Sequence, residues 1–488
     1  MSKRYRRTEV LVVGGGATGV CAAIAAARMG RETLIVERYG FLGGMFTGGN
    51  MTVLNCYPVG GIGQEIVEKL ASQGQARMCP DDPPNYPVFH YASEYSTMNL
   101  LYDAEAAKLV VMDLVREAGV QTLLHSYVYE TLTQDSRVVG VELCNKGGTE
   151  TVLADVVIDA TADADIVARA GLDVRKGQGE EGTLFAMTML VRLGNIDWPA
   201  ISEYSESDPG FDRAIAEAID AGELPYYRPR TREMVNYTGH ARPELSHLVR
   251  PTDALLWGGT VEGVDGTSAE DLTRAEFECR DQFRSELAFL KKRIPGFSDA
   301  TIEATGHQVG VRDTRHIVGL STMTPADILE QRRYHDVVAY NVKGASPVND
   351  IRYGCLVPAE SQGLLVCGNG ISVVPGSTQM GITLGSYNNI KDIPSMWTTG
   401  EAAGVAAAVC CARGSSPAEV DVGEVQERLK SVGALIDDKE RNRRMEQELP
   451  SGRRFAQFYQ EQLDGMISYW EKRGQYERPR RSGTRPKN

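Results

Sequence analysis

The amino-acid sequence predicts an α/β chain: a parallel sheet extended by a β-meander, interrupted by an inserted α+β unit and followed by a helical appendage. Three observations predict it. A strand, a glycine turn, an alanine-rich helix and a second strand follow one another from Val10 to Glu37. Three strand-like runs separated by turn residues lie between Gln121 and Ile158, and a late strand with another alanine-rich helix spans Leu364–Arg413. Between about Phe185 and Tyr353 the composition changes, so the expected division is 1–185 and 354–414 for one discontinuous domain, 186–353 for the insert and 415–488 for the appendage.

The first stretch is the most specific. Val10–Val13 form a β-branched-rich apolar run that stops at Gly14-Gly15-Gly16-Ala17-Thr18-Gly19, a GxGxxG pattern. Gly14 permits a sharp turn, Gly16 leaves the backbone open to a pyrophosphate, and Gly19 lets the next helix pack tightly on the sheet. That helix, expected from about Thr18 to Met29 and stopped by Gly30, points its free N-terminal amides and dipole at the phosphates. The run Thr33–Val36 ends at Glu37, about 20 residues beyond the turn, where the acceptor for a ribose hydroxyl belongs and where an acid disfavours a 2′-phosphate. Together these elements make a Rossmann-like dinucleotide site.

A second glycine cluster, Phe41-Leu42-Gly43-Gly44-Met45-Phe46-Thr47-Gly48-Gly49, occurs where a plain nicotinamide dehydrogenase would continue with a helix and strand, and it lets the backbone approach something flat and bulky. Glu105–Ala118 reads as a helix with Ala106, Leu109, Val110, Met112, Leu114 and Val115 as its apolar stripe. Gln121–Thr133, Arg137–Cys144 and Thr149–Ile158 read as strands of a meander that rejoins the sheet at Val156–Thr161. In the insert, Asp271–Lys292 is a charged amphipathic helix ended by Pro295-Gly296. After Arg413, Val422–Leu435 and Asp437–Glu448 read as helices, and Phe455–Trp470 carries aromatics at helical spacing that suit packing on the body or on a second subunit.

Composition excludes several classes. Lys plus Arg number 52 against 65 Asp plus Glu, a net charge of −13, which opposes general affinity for nucleic acid or anionic membrane. No long apolar segment suits a signal peptide or membrane span. The nine cysteines are scattered without a CxxC pair, the pattern of reduced cytoplasmic thiols, and the seven histidines form no metal-ligand cluster. The expectation is a cytoplasmic homo-oligomer acting on a small molecule, with no nucleic-acid or membrane partner and no metal.

The opening fingerprint, the Gly43-Gly44 doublet, "DVVIDATADADIVARAG", "GVRDTRHIVG" and "LLVCGNG…GEAAGVAAA", taken in order from about Thr8 to Arg413, resemble the FAD-dependent oxidoreductases whose FAD domain is similar to glutathione reductase and the fumarate reductase flavoproteins. The resemblance implies FAD as cofactor. It implies that Gly14, Gly16, Ala17, Thr18 and Gly19 face the pyrophosphate, Glu37 and Arg38 the adenosine ribose, and Gly43, Gly44 and Met45 the path toward the flavin ring. It also implies backbone contacts from Val128 to adenine, closure by Ala160, Thr161, Asp163 and Asp165, contacts from Gly368 and Asn369, and a final helix opened by Gly400-Glu401-Ala402-Ala403-Gly404 beneath the flavin pyrimidine. A helix N-terminus there would stabilise negative charge at N1 and O2 of the reduced ring. The chain departs from the family at Ala160-Thr161-Ala162, where Ala-Thr-Gly is common, at Asn369, where Arg is common, and in the long stretch from Gly376 to Trp397.

Candidate catalytic groups come from "GVRDTRHIVG". Strand alternation would set Arg312, Thr314 and His316 on one face and Asp313 and Arg315 on the other, so that Arg312 and His316 bind a carboxylate and move a proton beside the flavin. An interdomain ion-pair ladder is the structural alternative for the same residues. Tyr340 is a further acid/base candidate; His307 ranks with His316, and His240 and His247 are weaker. Cys56 has no second thiol close enough for dithiol chemistry, Cys79 being the nearest, and is read as packed or substrate-lining. The expected reaction is hydride transfer between a small organic substrate and flavin N5. The competing readings are an NAD-binding, thiazole-synthase-like protein and a nucleotide-binding assembly protein without turnover.

Overall fold

The structure, a computed structural model, describes residues 4–55, 60–78, 99–177, 186–226, 244–247, 249–250, 252–324, 326–327, 330, 332–340, 349–374, 390–437 and 440. Its main sheet contains β1 (Arg4–Val13), β2 (Thr33–Val36), β3 (Gln121–Leu123), β4 (Tyr127–Gln134), β5 (Arg137–Asn145), β6 (Gly148–Asp159) and β7 (Leu364–Val366). The order is β3-β2-β1-β6-β5-β4, with β7 also on β6. β1 pairs in parallel with β2 and β6, β2 with β3, and β6 with β7, whereas β6, β5 and β4 form the antiparallel meander. The long β6 joins the two halves: its first half pairs with β5 from Gly148 to Leu153, and its last residues, Val157–Asp159, pair with β7.

Residues Val10–Val13 are buried on both faces, as a parallel strand covered on each side requires. Val10 and Val12 enter the core beneath the helices, and Leu11 and Val13 enter the core shared with the meander. The expected strand Gln121–Thr133 is two strands. β3 ends at Leu123, the chain turns through His125 at φ +52°, and β4 starts at Tyr127. The split is enforced because β3 joins the parallel edge while β4 must reverse against β5.

Helix α1 (Ala17–Arg28) starts one residue before the expected Thr18, and the chain leaves it through Gly30 at φ +80°. α2 (Gly61–Ser72) and α3 (Ala104–Glu117) pack beside it. Asp103 caps α3 by accepting from Glu105 N at 2.9 Å and Ala106 N at 3.0 Å. The apolar stripe of α3 is turned relative to expectation: Leu109 is 65% exposed, while Val111 and Ala107 are buried. The neighbours of α3 select Ala104, Ala107, Val110, Val111, Leu114 and Val115, a face that hydrophobicity alone does not distinguish from its flank.

A separate hydrophobic cluster, drawn from Met187 to Val309, lies under a four-stranded antiparallel sheet ordered Glu244–His247, Ala254–Val261, Met187–Gly194, Thr301–Thr305. α4 (Ala269–Arg293) crosses that sheet with Cys279, Phe283, Phe289 and Leu290 inward, and Ser268 caps it by accepting from Asp271 N at 3.2 Å. α5 (Ile393–Arg413) is buried along most of its length, and α6 (Val422–Ser431) packs on it. α6 stops short of the expected Leu435, with Gly433 at φ +84° turning the chain. The expected helix Asp437–Glu448 falls almost wholly outside the described residues, and Phe455–Trp470 falls entirely outside them. No helix among the described residues is long and apolar enough to cross a membrane.

Candidate dinucleotide site

The glycine turn is clamped from both sides. Gly14 N donates to Val36 O at 2.9 Å, Gly15 N donates to Glu37 Oε2 at 2.6 Å, and Gly15 O accepts from Gly43 N at 2.7 Å. Gly14 has φ +102°, and a Cβ on it would lie 2.5 Å from Ala160 O. Gly16 differs: a Cβ there would meet no atom within 4 Å, so its outer face is open. It precedes an α1 N-terminus with no side-chain cap and no acidic residue in the first turn. Free amides and an open glycine face make an anion cradle.

Around that cradle the structure gathers most of the predicted residues. Glu37 is buried at the end of β2, where it also accepts from Tyr39 N at 2.9 Å, and each carboxylate oxygen retains a second lone pair. Val128 lies on the edge strand β4 with its side chain in the core, two residues beyond Ser126, whose amide donates to Glu37 O at 3.0 Å. Gly368 N donates to Thr399 Oγ1 at 3.1 Å, and a Cβ on Gly368 would lie 2.7 Å from Thr18 Oγ1, so the segment after β7 rests on the start of α1. Asn369 is buried, and its Oδ1 has no hydrogen-bond partner among the described residues.

Ala160 and Thr161 form the far wall, organised by Asp159, a residue the motif reading missed. Its carboxylate accepts from Thr161 N at 3.0 Å, Thr161 Oγ1 at 2.6 Å and Ile166 N at 2.9 Å. Burial pushes its pKa up, while these bonds hold it down. The available signal was an acid ending an apolar strand just before a short helix, Asp165–Arg169. Ala162 sits at φ +73° where the family favours glycine, so the turn keeps its left-handed shape with alanine.

Other expectations need correction. Gly400–Gly404 do not open the last helix, because α5 begins at Ile393 after Asp392, with Pro394 in its first turn. Gly400 and Gly404 lie within it facing α1, where Cβ atoms would come within 2.1 Å of Thr18 O and 2.2 Å of Ala22 O. Ala402 and Ala403 are core residues, and Glu401 turns toward α2, accepting from Ile62 N at 3.3 Å. Burial pushes the Glu401 carboxyl up to about 8.

The alternating face predicted for Arg312, Thr314 and His316 does not form, since only Arg315–Ile317 is strand. His316 is buried with Nε2 2.9 Å from Asp313 Oδ1. Thr314 donates to Asp163 Oδ1 at 2.6 Å, and burial pushes Asp163 up to about 6. Arg315 donates through Nε to Asp163 O at 2.8 Å and pairs with Asp165. Tyr340 is buried and donates to Ile436 O at 2.5 Å, so its hydroxyl is occupied in the core. Arg312 donates to Ala186 O at 3.0 Å.

Arg38 and Met45 instead meet the insert: Arg38 donates to Gln308 Oε1 at 3.0 Å, and Gln308 Nε2 lies 3.6 Å from Met45 Sδ. Cys56, Cys79, His240 and most of the stretch from Gly376 to Trp397 lie outside the described residues, and His247 falls on the strand Glu244–His247. The buried Cys21 and Cys367 thiols have pKa values pushed well above the ordinary value by burial.

The model of the family FAD dependent oxidoreductase matches residues 9–429. A curated relative, the tRNA uridine 5-carboxymethylaminomethyl modification enzyme MnmG of a Nitratiruptor species, is 23% identical over 369 residues, 71% of this chain and 53% of its own. The chain thus spans about half the length of that curated relative. Among solved structures, a geranylgeranyl bacteriochlorophyll reductase-like protein of Thermoplasma acidophilum is similar at 13% identity and TM-score 0.44, covering 93% of this chain and 100% of that one. The p-nitrophenol 4-monooxygenase of Pseudomonas putida is similar at 12% identity and TM-score 0.45, covering 95% and 97%.

The cofactor of this family is FAD, and the residues present fit it: the open face of Gly16 and the uncapped α1 N-terminus form the cradle, and Asn369, which follows the Gly368 that rests on the start of α1, keeps a buried Oδ1 without a hydrogen bond among the described residues. The readings as an NAD-binding, thiazole-synthase-like protein and as an assembly protein without turnover give way to an FAD-dependent oxidoreductase. From the glycine turn near its start to α6, this chain belongs to the FAD-dependent oxidoreductase family.

Proposed function

We propose that the protein transfers a hydride between a small carboxylated or hydroxylated organic substrate and the flavin, with the substrate held between the FAD-binding sheet and the insert. In this reading residues 1–185 and 354–414 bind the cofactor, 186–353 cover the substrate, and the protein works as a cytoplasmic homo-oligomer. Bound FAD would supply N5 as the hydride partner.

The observation that carries the reading is the contact of the insert with the second glycine cluster. His307 N donates to Gly48 O at 2.8 Å, the His307 ring lies tilted by 54° against Phe41 at 4.9 Å between centroids, and Gln308 engages Arg38 and Met45. A seam between two structural units, beside a cofactor cradle, gives a substrate both close approach and exclusion of water. Arg315, His316 and Tyr340 are engaged elsewhere; His307, with Nδ1 3.0 Å from Gly48 O, and Arg312, with one N–H on Ala186 O, are the groups this reading assigns to proton handling and anion binding.

The test is the visible spectrum of the purified protein followed by anaerobic mixing with a panel of hydroxy acids, alcohols and amines. An oxidised-flavin absorbance band at about 450 nm that bleaches with a member of the panel is expected. A flavin-loaded protein that no donor or reductant of this kind bleaches overturns the proposal.

A further inference from the structure

Between the strand Thr301–Thr305 and Gly310 the chain makes a short loop, Gly306–Val309, by which the insert reaches the FAD-binding part. Its flanks are fixed on the strand Met187–Gly194. Gly306 N donates to Leu190 O at 3.0 Å, and Gly310 N donates to Thr188 O at 2.6 Å, with the return bond from Thr188 N to Gly310 O at 3.3 Å. Its inner side is fixed by α4. Val309 is 1% exposed, so its amide needs a partner inside the protein, and it donates to Glu276 Oε1 at 2.7 Å. One turn further along α4, Arg280 donates through Nη2 to Gly306 O at 3.3 Å and pairs through Nη1 with Glu276. A partly exposed ion pair contributes little by itself. Its geometric effect is larger, because two side chains four residues apart hold both ends of one loop.

The tip of that loop touches both ends of the segment that carries the second glycine cluster. At one end Gln308 Oε1 accepts from Arg38 Nη2 at 3.0 Å and from the Tyr39 hydroxyl, just after Glu37. At the other, His307 N donates to Gly48 O at 2.8 Å and Gln308 Nε2 lies 3.6 Å from Met45 Sδ. Gly48 N in turn donates to Gly44 O at 2.7 Å, and Gly43 N donates to Gly15 O at 2.7 Å. A Cβ on Gly44 would lie 2.9 Å from Gly16 Cα, so the two glycine turns are in direct backbone contact. An unbroken run of contacts thus leads from Glu276 in the insert to Gly16 in the cradle.

We propose that Glu276 and Arg280 are positioning residues for the cofactor: they hold the Gly306–Val309 loop so that the insert sets the second glycine cluster against Gly16 and preorganises the cradle for FAD. Preorganisation lowers the ordering cost of binding and slows release. Both residues act through the loop, and their role is the same whichever substrate the enzyme takes.

The test follows FAD release from diluted full-length holoenzyme by flavin fluorescence, with the visible circular dichroism of the bound flavin as a second reading. Glu276→Ala frees the Val309 amide and is expected to speed release by about tenfold and to alter the flavin dichroism. Glu276→Gln keeps an oxygen that accepts from Val309 N and is expected to stay within about threefold of wild type. Arg284→Ala, on the same helix where an exposed Arg284 pairs with Asp281, is expected to match wild type. Contacts in series are coupled only when loosening one changes the effect of loosening another, so Glu276→Ala is combined with Gln308→Ala. The pair is expected to fall short of the product of the two single effects by about twofold or more.

Wild-type release and dichroism in Glu276→Ala overturn the proposal, as does an equal effect of Arg284→Ala or a full product in the double variant. Should Glu276→Ala fail to fold, Arg280→Ala and Gln308→Ala carry the test, and wild-type values in both overturn it. Release and dichroism need no substrate, so failure of every donor to bleach the flavin sinks hydride transfer and leaves this test standing.

Discussion

Gly14 and Gly16 stand two residues apart in one turn and carry opposite burdens. Gly14 is held at φ +102° against Ala160 O, so Gly14→Ala strains the fold itself and is expected to lower unfolding stability by about 1–3 kcal/mol with or without cofactor. Gly16 has φ −69° and open space before it, so Gly16→Val is expected to leave the melting temperature of the cofactor-free protein unchanged while abolishing flavin retention. Thermal unfolding of apo protein, set beside flavin content per chain, checks both. The motif names these glycines together, and only backbone angles and neighbours tell the structural one from the ligand-facing one. The same limit explains Tyr340 and His316: residue type marked them as proton carriers, but Ile436 O and Asp313 claim them across the fold.

Between elements, α5 shows how a helix can be legible and its ends not. Its alanine-rich interior was plain from composition, yet its start was set too late, because the polar stretch before Trp397 reads as loop until Asp392 and Pro394 are recognised as an N-terminus. The glycines thought to begin it instead let it lie against α1. Glu401 then ties α5 to the start of α2, and its carboxyl keeps a proton up to about pH 8 against an ordinary value of 4.5. The folded state therefore binds this proton more tightly than the unfolded chain, so its contribution to stability is whole below 4.5, declines as pH rises to about 8 and is flat above. Glu401→Gln removes that decline. Relative to wild type it is expected to gain nothing near pH 4.5 and on the order of 2–5 kcal/mol above pH 8, read from denaturant unfolding across that range.

For the whole molecule, the insert is fastened to the FAD-binding part at the adenosine end by Thr314, Arg315 and the pairing of Val174–Lys176 with Arg315–Ile317. Arg315→Ala leaves the Asp165 carboxylate and Asp163 O without this partner, with an expected loss of about 1–3 kcal/mol and faster flavin release, because the same turn walls the glycine cradle. Arg315→Lys is expected to restore only part, since an ammonium cannot span both acceptors as the guanidinium does. Unfolding midpoints and the rate of flavin fluorescence recovery on dilution measure the two effects.

The chain order was sufficient for the glycine turn, the strand ending at Glu37, the meander and a dinucleotide cradle, since periodicity, capping and glycine placement act within a few residues of one another, while FAD itself followed from the resemblance of the ordered motifs. Which strand face looks toward the FAD-binding part, which carboxylates an arginine meets and which histidine is sealed in the core were settled by packing. Arg192 meets Asp103, and Arg315 meets Asp165, across separations in the chain that no local pattern records.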